Sequence, residues 1–388
     1  MNSMNAKSSL PFRTSRRTQH GFSLIEILVG MAIGLIGVVV IFQMLSNWDA
    51  SRRTTSAGSD AQIAGSVGMF TLEREFKVAG TGFGTVTADK VSVAPLLNCA
   101  VSAYDQRAPT PAFTFPLLPV SITPNAINGG PVTITTLYGN SDFLSSGITF
   151  KSSTATTKQL INRSGFQLGD VVVVTPLETA AAPIQCAMIE VTAVNDPDLL
   201  TIGHAKIASY TTFYSQTQPS YYNDPAGAAA AVNNGYLFNL GPNPALMQWN
   251  IQGGRRLVKA NLLNTMAPAA EVADGIVNMQ ALYGYDTNGD NIISTGEWIS
   301  TLPTPTDWTK VRAIRVALLS RSQQFENEKT YVSLPPAWFG GNFTMFNVDG
   351  TLGATTGSPN GNPNDWFKYR YRVYEKVIPL RNIIWPNT

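Results

Sequence analysis

A single long apolar segment near the N-terminus constrains this chain more than any other feature. Residues 21–45 read GFSLIEILVGMAIGLIGVVVIFQML, and the 24 residues from Phe22 to Leu45 contain one charged side chain, Glu26. A bilayer-spanning helix needs about 20 consecutive apolar residues, so this segment is long enough to cross a membrane. Upstream lies a basic segment without acidic residues, formed by Lys7, Arg13, Arg16 and Arg17. Such a segment favours a cytoplasmic N-terminus.

Glu26 is the residue in this segment that calls for a function. A carboxylate in the middle of an apolar helix costs about 2.5–3.5 kcal/mol on insertion scales. If the chain were cut after Gly21, Glu26 would become the fifth residue and Phe22 would carry a new α-ammonium. A glutamate in the first turn suits a helix N-terminus, and it can pair with the ammonium group of a neighbouring copy.

The residues on either side of Gly21 closely resemble the class III signal of type IV prepilins and of type II secretion pseudopilins. The resemblance rests on the basic leader that ends in Gly21 and on the run Phe22-Ser23-Leu24-Ile25-Glu26. It implies cleavage between Gly21 and Phe22 by a prepilin peptidase, N-methylation of Phe22, and an assembly role for Glu26. The alternatives are an ordinary signal anchor and a secretory signal. The apolar run exceeds the roughly 7–15 residues of a secretory h-region, and no A-x-A-like site follows it.

Composition agrees with an exported protein. Charged residues make up 13% of the 388 residues, while glycine and proline number 32 and 24, which is typical of a loop-rich chain. The formal net charge is +2, and the leader contributes four positive residues and no acidic one, so the remainder carries about −2. No nucleic-acid partner is expected, because the chain beyond the leader has no basic excess.

The two cysteines, Cys99 and Cys186, both follow the membrane segment. In an oxidising compartment such a pair is a disulfide candidate, and the alternative is two buried free thiols. A disulfide here would close a loop of 87 residues. In the chain-entropy model that closure stabilises a fold by about 4–5 kcal/mol.

The helix is predicted to continue beyond the membrane. Residues 46–80 contain no proline, and two sets of apolar residues follow the helical period: Ile63, Val67 and Phe70, and Met69, Leu72 and Phe76. Gly80, Gly82 and Gly84 are the stop signal. We therefore predict one helix over residues 22–82, with 22–45 in the membrane.

From about residue 85 the pattern predicts strands and loops. The predicted strands are Val171–Thr175, Met188–Val194, Ile276–Tyr285, Val311–Leu319 and Tyr369–Tyr374. Three tracts rich in Pro, Gly and Asn are predicted to be irregular: 103–131, 208–250 and 335–366.

Three C-terminal segments resemble the PilW family of minor pilins. They are Tyr283-Gly284-Tyr285-Asp286-Thr287-Asn288-Gly289-Asp290, Trp308-Thr309-Lys310-Val311-Arg312-Ala313-Ile314-Arg315-Val316 and Pro379-Leu380-Arg381-Asn382. The resemblance covers the first 80 residues well and residues 271–382 moderately. It implies an α+β type IV pilin fold, in which the long N-terminal helix packs on an antiparallel β-sheet. Residues 83–388 would then form a β-rich globular domain, enlarged by an insertion at about 100–260.

The same resemblance implies a non-enzymatic minor pilin in the tip or initiation complex of a type IV pilus, serving pilus assembly and adhesion or twitching motility. The chain would lie in the bacterial inner membrane before assembly and in the pilus afterwards. Its partners would be major and minor pilins, the prepilin peptidase and the pilus assembly platform. The alternatives are a minor pseudopilin of type II secretion, a membrane-anchored periplasmic enzyme, and a tip adhesin that uses the insertion.

Residues 286–297 have the pattern of a calcium-binding loop. Oxygen donors stand at loop positions 1, 3, 5, 7, 9 and 12, supplied by Asp286, Asn288, Asp290, the Ile292 carbonyl, Ser294 and Glu297. Asn291 departs from the EF-hand pattern, which has Gly at that position, although Asn tolerates the left-handed backbone better than most residues. The alternative is a polar hairpin turn built on Asn-Gly.

The sequence contains no G-x-S-x-G, C-x-x-C or Walker motif. His204 is the one histidine beyond the leader, and its position at a predicted strand end favours a structural role. A loop also gathers five aromatic residues, for which burial in the core is favoured over a contact surface: Tyr210, Phe213, Tyr214, Tyr221 and Tyr222.

Overall fold

The computed structural model describes residues 21–83, 96–142, 147–162, 165–177, 185–194, 200–225, 232–304, 306–325, 332, 334–354 and 365–384. The predicted leader, apart from Gly21, lies outside these residues. The chain divides into two compact units, residues 1–55 and 56–388. The predicted α+β class is confirmed, because a long N-terminal helix precedes a unit built from mostly antiparallel β-sheets.

Helix α1 covers Leu24–Val78. It ends four residues before the predicted boundary, because Gly80 and Gly82 adopt left-handed backbone conformations with φ of +83° and +95°. Glycine takes this conformation without steric cost, so the two residues stop the helix and turn the chain into the globular unit.

The largest sheet has nine strands in the order β2-β1-β8-β7-β13-β5-β6-β10-β9. The strands are β1 Ala100–Tyr104, β2 Ala112–Pro116, β5 Ile148–Ser153, β6 Thr157–Leu160, β7 Val171–Pro176, β8 Gln185–Glu190, β9 Ala193–Val194, β10 Thr201–Gly203 and β13 Gly235–Gly241. All neighbours pair antiparallel except β1 and β8, which are parallel and place Val101 opposite Cys186.

Two further antiparallel sheets complete the scaffold. A five-stranded sheet has the order β16-β15-β14-β4-β3, and a four-stranded sheet has the order β18-β17-β19-β22. The first contains β3 Val120–Thr123, β4 Thr133–Tyr138, β14 Ala245–Gln252, β15 Arg256–Asn261 and β16 Ala270–Asp274. The second contains β17 Ile276–Tyr285, β18 Trp298–Ile299, β19 Val311–Arg321 and β22 Tyr371–Pro379.

The remaining described elements are short. Two hairpins pair β11 Tyr210–Thr211 with β12 Thr217–Gln218, and β20 Ala337–Trp338 with β21 Gly341–Asn342. Three 3₁₀ turns cover Thr295–Glu297, Trp308–Lys310 and Trp366–Lys368, and helix α2 covers Arg381–Ile384.

The prediction of three irregular tracts is wrong in part. The first contains β2 and β3, the second contains β11, β12, β13 and part of β14, and the third contains β20 and β21. Their Pro, Gly and Asn residues mark the turns between short strands, which are too brief to show a clear alternation. The predicted strand Tyr369–Tyr374 begins two residues late, because Tyr369 closes a 3₁₀ turn through a hydrogen bond from its N–H to the Trp366 carbonyl.

Two strands with both faces buried separate the clusters of the core. In β7, Val171 and Val173 join the main cluster, whereas Val172 and Val174 join a second cluster on the opposite face. In β19, Leu318 faces the main cluster and Leu319 faces a third. Successive strand side chains point to opposite faces, which explains the nearly unbroken apolar sequences of both strands.

The C-terminal part of α1 inserts into the main cluster through Met69, Leu72 and Phe76. Two glycines let the helix backbone approach its neighbours. A Cβ on Gly65 would lie 2.0 Å from the Tyr374 ring, and one on Gly68 would lie 3.1 Å from Leu257 and 3.2 Å from Leu318. The close packing of the helix against the sheets therefore depends on the absence of side chains at Gly65 and Gly68.

A buried ion pair also ties α1 to the five-stranded sheet. The Glu75 carboxylate, on a residue that is 7% exposed, accepts from Lys259 Nζ at 2.5 Å and from Trp249 Nε1 at 3.0 Å. A carboxylate taken out of water is tolerated only when it is paired and hydrogen-bonded, and both oxygens of Glu75 meet that condition. The ion pair therefore adds a fixed polar contact to the apolar seat of the helix.

We predict that Gly65→Ala lowers the free energy of unfolding by about 1–3 kcal/mol, because the added methyl group forces the Tyr374 ring to move. The matched control is Gly58→Ala, also within α1, where an added Cβ meets nothing within 4 Å. The control should raise stability by about 0.5–1 kcal/mol, because alanine replaces glycine in a helix. Denaturation of the detergent-solubilised chain measures the change in unfolding free energy for both variants. An equal stabilisation by the two substitutions would contradict the close packing of the helix at Gly65.

Candidate functional site

The start of α1 is organised by Ser23 and Glu26. The Ser23 N–H donates to Glu26 Oε2 at 3.2 Å, and the Ile25 N–H donates to Ser23 Oγ at 3.4 Å. The two side chains thus satisfy amide groups at the helix start, much as in a capping box, although Ser23 Oγ accepts from the second helical N–H rather than the third. Sequence reasoning assigned Glu26 but missed Ser23, although Ser-x-x-Glu before an apolar run is the sequence signal of this motif.

The segment that follows is apolar and open to its surroundings. Residues Leu24–Trp48 have a mean hydropathy of 2.8 and are 0% buried within the protein, and they form the one described helix that is long and apolar enough to cross a membrane. Phe22, the predicted new N-terminus, is 83% exposed. So large an exposed apolar surface is suited to lipid or to other apolar helices.

Within the second unit, the two apolar stripes of α1 have different environments. Met69, Leu72 and Phe76 are buried, whereas Ile63, Val67 and Phe70 are 60%, 45% and 67% exposed. The first set therefore packs in the core, whereas the second set lies on the exposed face of the helix. The exposed stripe offers a further apolar face to a partner.

Two family models match the ends of the chain. Residues 16–42 match the prokaryotic N-terminal methylation motif, and residues 232–382 match the type IV pilus-assembly protein W, PilW. The chain matches a PilW-family type IV pilin. No curated protein and no solved structure matches the chain.

The methylation-motif match falls on the start of α1. Residues 16–42 include the Ser23–Glu26 pair and most of the apolar segment Leu24–Trp48. The match begins at residue 232, earlier than the predicted 271, and residues 43–231 lie between the two family matches.

Cys99 and Cys186 form the disulfide that the sequence predicts, and their Cα atoms lie 5.9 Å apart. Both residues are buried in the main core cluster. The bond stands beside the parallel pairing of β1 and β8, where Val101 lies opposite Cys186. It therefore fixes a contact between strands that are far apart in sequence.

The candidate calcium loop connects β17 to a 3₁₀ turn and the short strand β18. Its first residue, Asp286, is fully buried and accepts from the N–H groups of Gly289 at 2.6 Å and Asn291 at 2.9 Å. Asn291 has φ of +66°, which is the left-handed conformation expected at that position. Arg312 Nε lies 3.7 Å from Asp286 Oδ2 and supplies a positive charge.

The last residue of the loop, Glu297, is held by four hydrogen bonds. Its Oε1 accepts from the N–H and hydroxyl of Thr287 at 2.8 and 2.6 Å, and its Oε2 accepts from the N–H and hydroxyl of Ser294 at 2.8 and 2.9 Å. These bonds lower the pKa of Glu297 to about 2, and the bond from the Thr287 hydroxyl contributes most to the shift. The carboxylate is therefore ionised at neutral pH, and its contribution to stability is lost only as the pH falls from the unfolded-state pKa towards 2.

The middle of the loop bonds to itself. Asn288 Nδ2 donates to Asp290 Oδ2 at 3.0 Å, and the Ile292 N–H donates to Asp290 Oδ1 at 2.7 Å. Within the described residues, no group of three or more His, Cys, Asp and Glu side chains is arranged to hold a metal ion. A carboxylate oxygen has two acceptor positions, so the oxygens of Asp286 and Asp290, with one bond each, retain capacity for a cation. The four bonds to Glu297 fill its acceptor positions, so it could bind a cation only by giving up some of them. Calcium binding stays a prediction.

We predict that millimolar calcium raises the melting temperature of the detergent-solubilised chain relative to chelator. Calcium bound only to the folded state would add about 2.7 kcal/mol at a hundredfold excess over Kd. Glu297→Gln should abolish the difference, whereas Glu271→Gln, a surface substitution outside the loop, should preserve it. Equal melting temperatures in calcium and in chelator would leave residues 286–297 as a polar turn that Thr287 and Ser294 complete.

His204 follows β10 and is 5% exposed. Burial lowers the pKa of its imidazole to about 4, so the ring is neutral at physiological pH. Burial likewise lowers the pKa of the neighbouring Lys158 to about 8, and Lys158 Nζ donates to Ser153 Oγ and to the Val232 carbonyl. A buried, neutral imidazole beside β10 agrees with a structural role for His204.

The predicted aromatic cluster divides between core and surface. Tyr222 is 9% exposed and packs in the main cluster. Tyr221 packs against the same cluster, and Tyr210 donates to buried Glu190. Phe213 and Tyr214 are 57% and 47% exposed at the β11–β12 turn, so the preference for burial is wrong for these two.

Proposed function

We propose that this chain is a minor pilin, cleaved between Gly21 and Phe22, N-methylated on Phe22, and incorporated into a type IV pilus at or near its tip. Before assembly it is anchored in the bacterial inner membrane by Leu24–Trp48. The observation that carries the proposal is the coincidence, at one helix start, of the methylation motif, the exposed Phe22 and the capped Glu26.

The chemistry of that helix start supports an assembly role for Glu26. Cleavage after Gly21 places an ammonium group on Phe22, four residues from the carboxylate. In an apolar bundle an unpaired charge is costly, so the Glu26 carboxylate of one subunit and the Phe22 ammonium of a neighbour gain by pairing. The pair would fix the axial register of adjacent subunits.

The exposed stripe of Ile63, Val67 and Phe70 supports the same conclusion. We assign it to the helix of a neighbouring pilin, because its i, i+4, i+7 spacing lets an apolar face of another helix pack along it. The stripe follows the membrane segment on the same element, α1. Incorporation would therefore cover apolar surface on both parts of this helix.

We further propose that the subunit lies at the pilus tip and serves adhesion or motility. The region between the two family matches contributes most of a nine-stranded sheet and the exposed aromatic turn at Phe213 and Tyr214. Paired exposed aromatics on a turn are the kind of side chain that dominates contact surfaces. A tip subunit has such a surface free of neighbours on one side.

The methylation motif alone would also fit a pseudopilin of type II secretion. The match of residues 232–382 to a pilus-assembly protein favours the pilus. Both are structural roles, and the family matches point to a pilus component rather than to a membrane-anchored enzyme. Pilus formation and protein secretion, measured in the same deletion strain, distinguish the two assemblies.

We predict that the membrane-extracted protein begins with methylated Phe22, and that a bulky residue at Gly21, as in Gly21→Leu, leaves the leader attached. Intact-mass analysis measures both outcomes. Gly30→Ala is the control, because a Cβ on Gly30 meets nothing within 4 Å and the residue lies beyond the cleavage site. A wild-type protein that retains residues 1–21, or one cut after residue 45, would contradict the proposal.

We predict that Glu26→Gln inserts normally into the membrane and reduces incorporation into sheared fibres by about tenfold or more, because the charge pair is lost. Gln retains an acceptor for the Ser23 N–H, so the substitution separates the charge from the cap. The measurement is a quantitative immunoblot of fibre and membrane fractions, together with a count of fibres per cell.

Ser23→Ala is the matched control, because it removes the Ser23 Oγ cap and keeps the Glu26 charge. If the charge sets register, Ser23→Ala should assemble nearly as the wild type does. Normal fibre incorporation and normal fibre number for Glu26→Gln would show that Glu26 acts only as a helix cap.

A further inference from the structure

A cavity of about 310 Å³ lies in the second unit, between the ends of the five- and four-stranded sheets and the loop 344–350. This volume is at the small end of the range for ligand pockets, about 300–1,000 Å³. It lies apart from α1, the exposed stripe and the candidate calcium loop, since none of their residues lines it.

The wall of the cavity is largely apolar. Its apolar side chains come from β14, β17, β19 and the loops 125–131 and 344–350, and they are Ile127, Pro131, Ile251, Val277, Leu319, Met345, Phe346 and Val348. The turn Gly253–Gly254 contributes backbone without side chains. A ligand that fills this space needs an apolar body.

Arg321, at the end of β19, is the one basic residue among those that line the cavity. The residue is 8% exposed, and its guanidinium lies 4.7 Å from the centre of the Tyr369 ring. The nearby carboxylates Asp274 and Glu271 pair instead with Arg255 and Arg256. The Arg321 side chain also hydrogen-bonds Tyr371. Within the described part of the chain it has no ion-pair partner, so no described carboxylate neutralises its buried charge.

The other polar side chains of the wall are held by their own loops. Asn278 Nδ2 donates to the carbonyls of Gly129 and Thr344 at 3.2 and 3.0 Å. Asn347 Nδ2 donates to Thr351 Oγ1 at 3.1 Å, and Asp349 Oδ1 accepts from the Thr351 N–H at 2.9 Å. These bonds shape the loop and hold one oxygen of the Asp349 carboxylate on Thr351. Arg321 is then the positive group of the wall that can pair with an anion.

We propose that this cavity binds a small organic carboxylate with an apolar body. The carboxylate would pair with the Arg321 guanidinium, and the body would lie against Leu319, Met345 and Phe346. A guanidinium offers paired N–H donors in a fixed fork that suits a carboxylate, and the pair is strong where water is excluded. This binding is separate from the assembly role of α1 and does not depend on it.

Phenylacetate and its uncharged isostere phenylacetamide are the probes, tested by ligand-observed NMR on the detergent-solubilised full chain, with empty micelles as reference. Phenylacetate should bind, and phenylacetamide should bind at least about tenfold more weakly, because a hydrogen bond to a charged group is lost. Arg321→Gln should abolish the preference for the carboxylate. Val348→Trp, which leaves Arg321 in place and fills the mouth of the cavity, should abolish binding of both probes.

Arg256→Gln is the matched control, since Arg256 is exposed, lies beside the Gly253–Gly254 turn and does not line the cavity. It should bind phenylacetate as the wild type does, and melting curves confirm that each variant is folded. The proposal is overturned if the two probes give equal signals in the wild type, if phenylacetate gives none above that of empty micelles, or if its binding survives Val348→Trp.

Discussion

The rest of the globular unit depends on one contact, the close packing of the C-terminal part of α1 against the five- and four-stranded sheets. Phe76 and Leu72 are fully buried in the cluster that also contains Trp249 of β14 and Leu318 of β19. A side chain at Gly65 or Gly68 would hold the helix away from these strands. Glu75, with Lys259 and Trp249, adds a buried polar contact that tolerates little displacement, because a carboxylate that loses its partners while buried is strongly destabilising.

The sequence predicts well those structural features that a short segment determines by itself. The apolar segment of α1, the alternation of β17 and β19, and the glycines that end the helix are all local signals, and each appears at or near its predicted place. The cleavage and assembly residues belong to one run of six residues, which is why a motif suffices to find them. Which apolar stripe of α1 is buried depends on where Tyr374 and Leu257 arrive, and no local pattern contains that. The Arg321 cavity is likewise invisible in the sequence, because residues between 125 and 350 build its wall.

Two carboxylates that the chain buries, Glu190 and Asp105, are held by neighbouring protein groups. Glu190, 1% exposed, accepts from the N–H groups of Tyr221 and Tyr222, and Asp105 is fully buried and paired with Arg107. Burial raises the pKa of Glu190, whereas the hydrogen bonds and charge of Arg107 overcome desolvation and lower the pKa of Asp105. Asp105 therefore stabilises the fold above its unfolded-state pKa and loses that contribution as the pH falls. Arg321 lacks both the ion pair of Asp105 and the set of backbone hydrogen bonds that holds Glu190, and it has no described ion-pair partner. Its cavity is therefore a candidate for an external anion.

The region outside the family match cannot be a domain added to a complete scaffold. β13 lies inside the matched range, yet in the nine-stranded sheet its neighbours are β7 and β5, which lie outside it. The matched strand β14 is likewise paired on one side with β4. Val101, Leu117 and Ile134 share one core cluster with Leu318, and the Cys99–Cys186 disulfide fastens β1 to β8 within the same region. Deleting the strands of residues 43–231 would expose apolar faces of the strands that lie inside the family match. Because the strands of residues 43–231 pair with and pack on the matched strands, a substitution in them disturbs the core, whereas one in the exposed Phe213–Tyr214 turn does not.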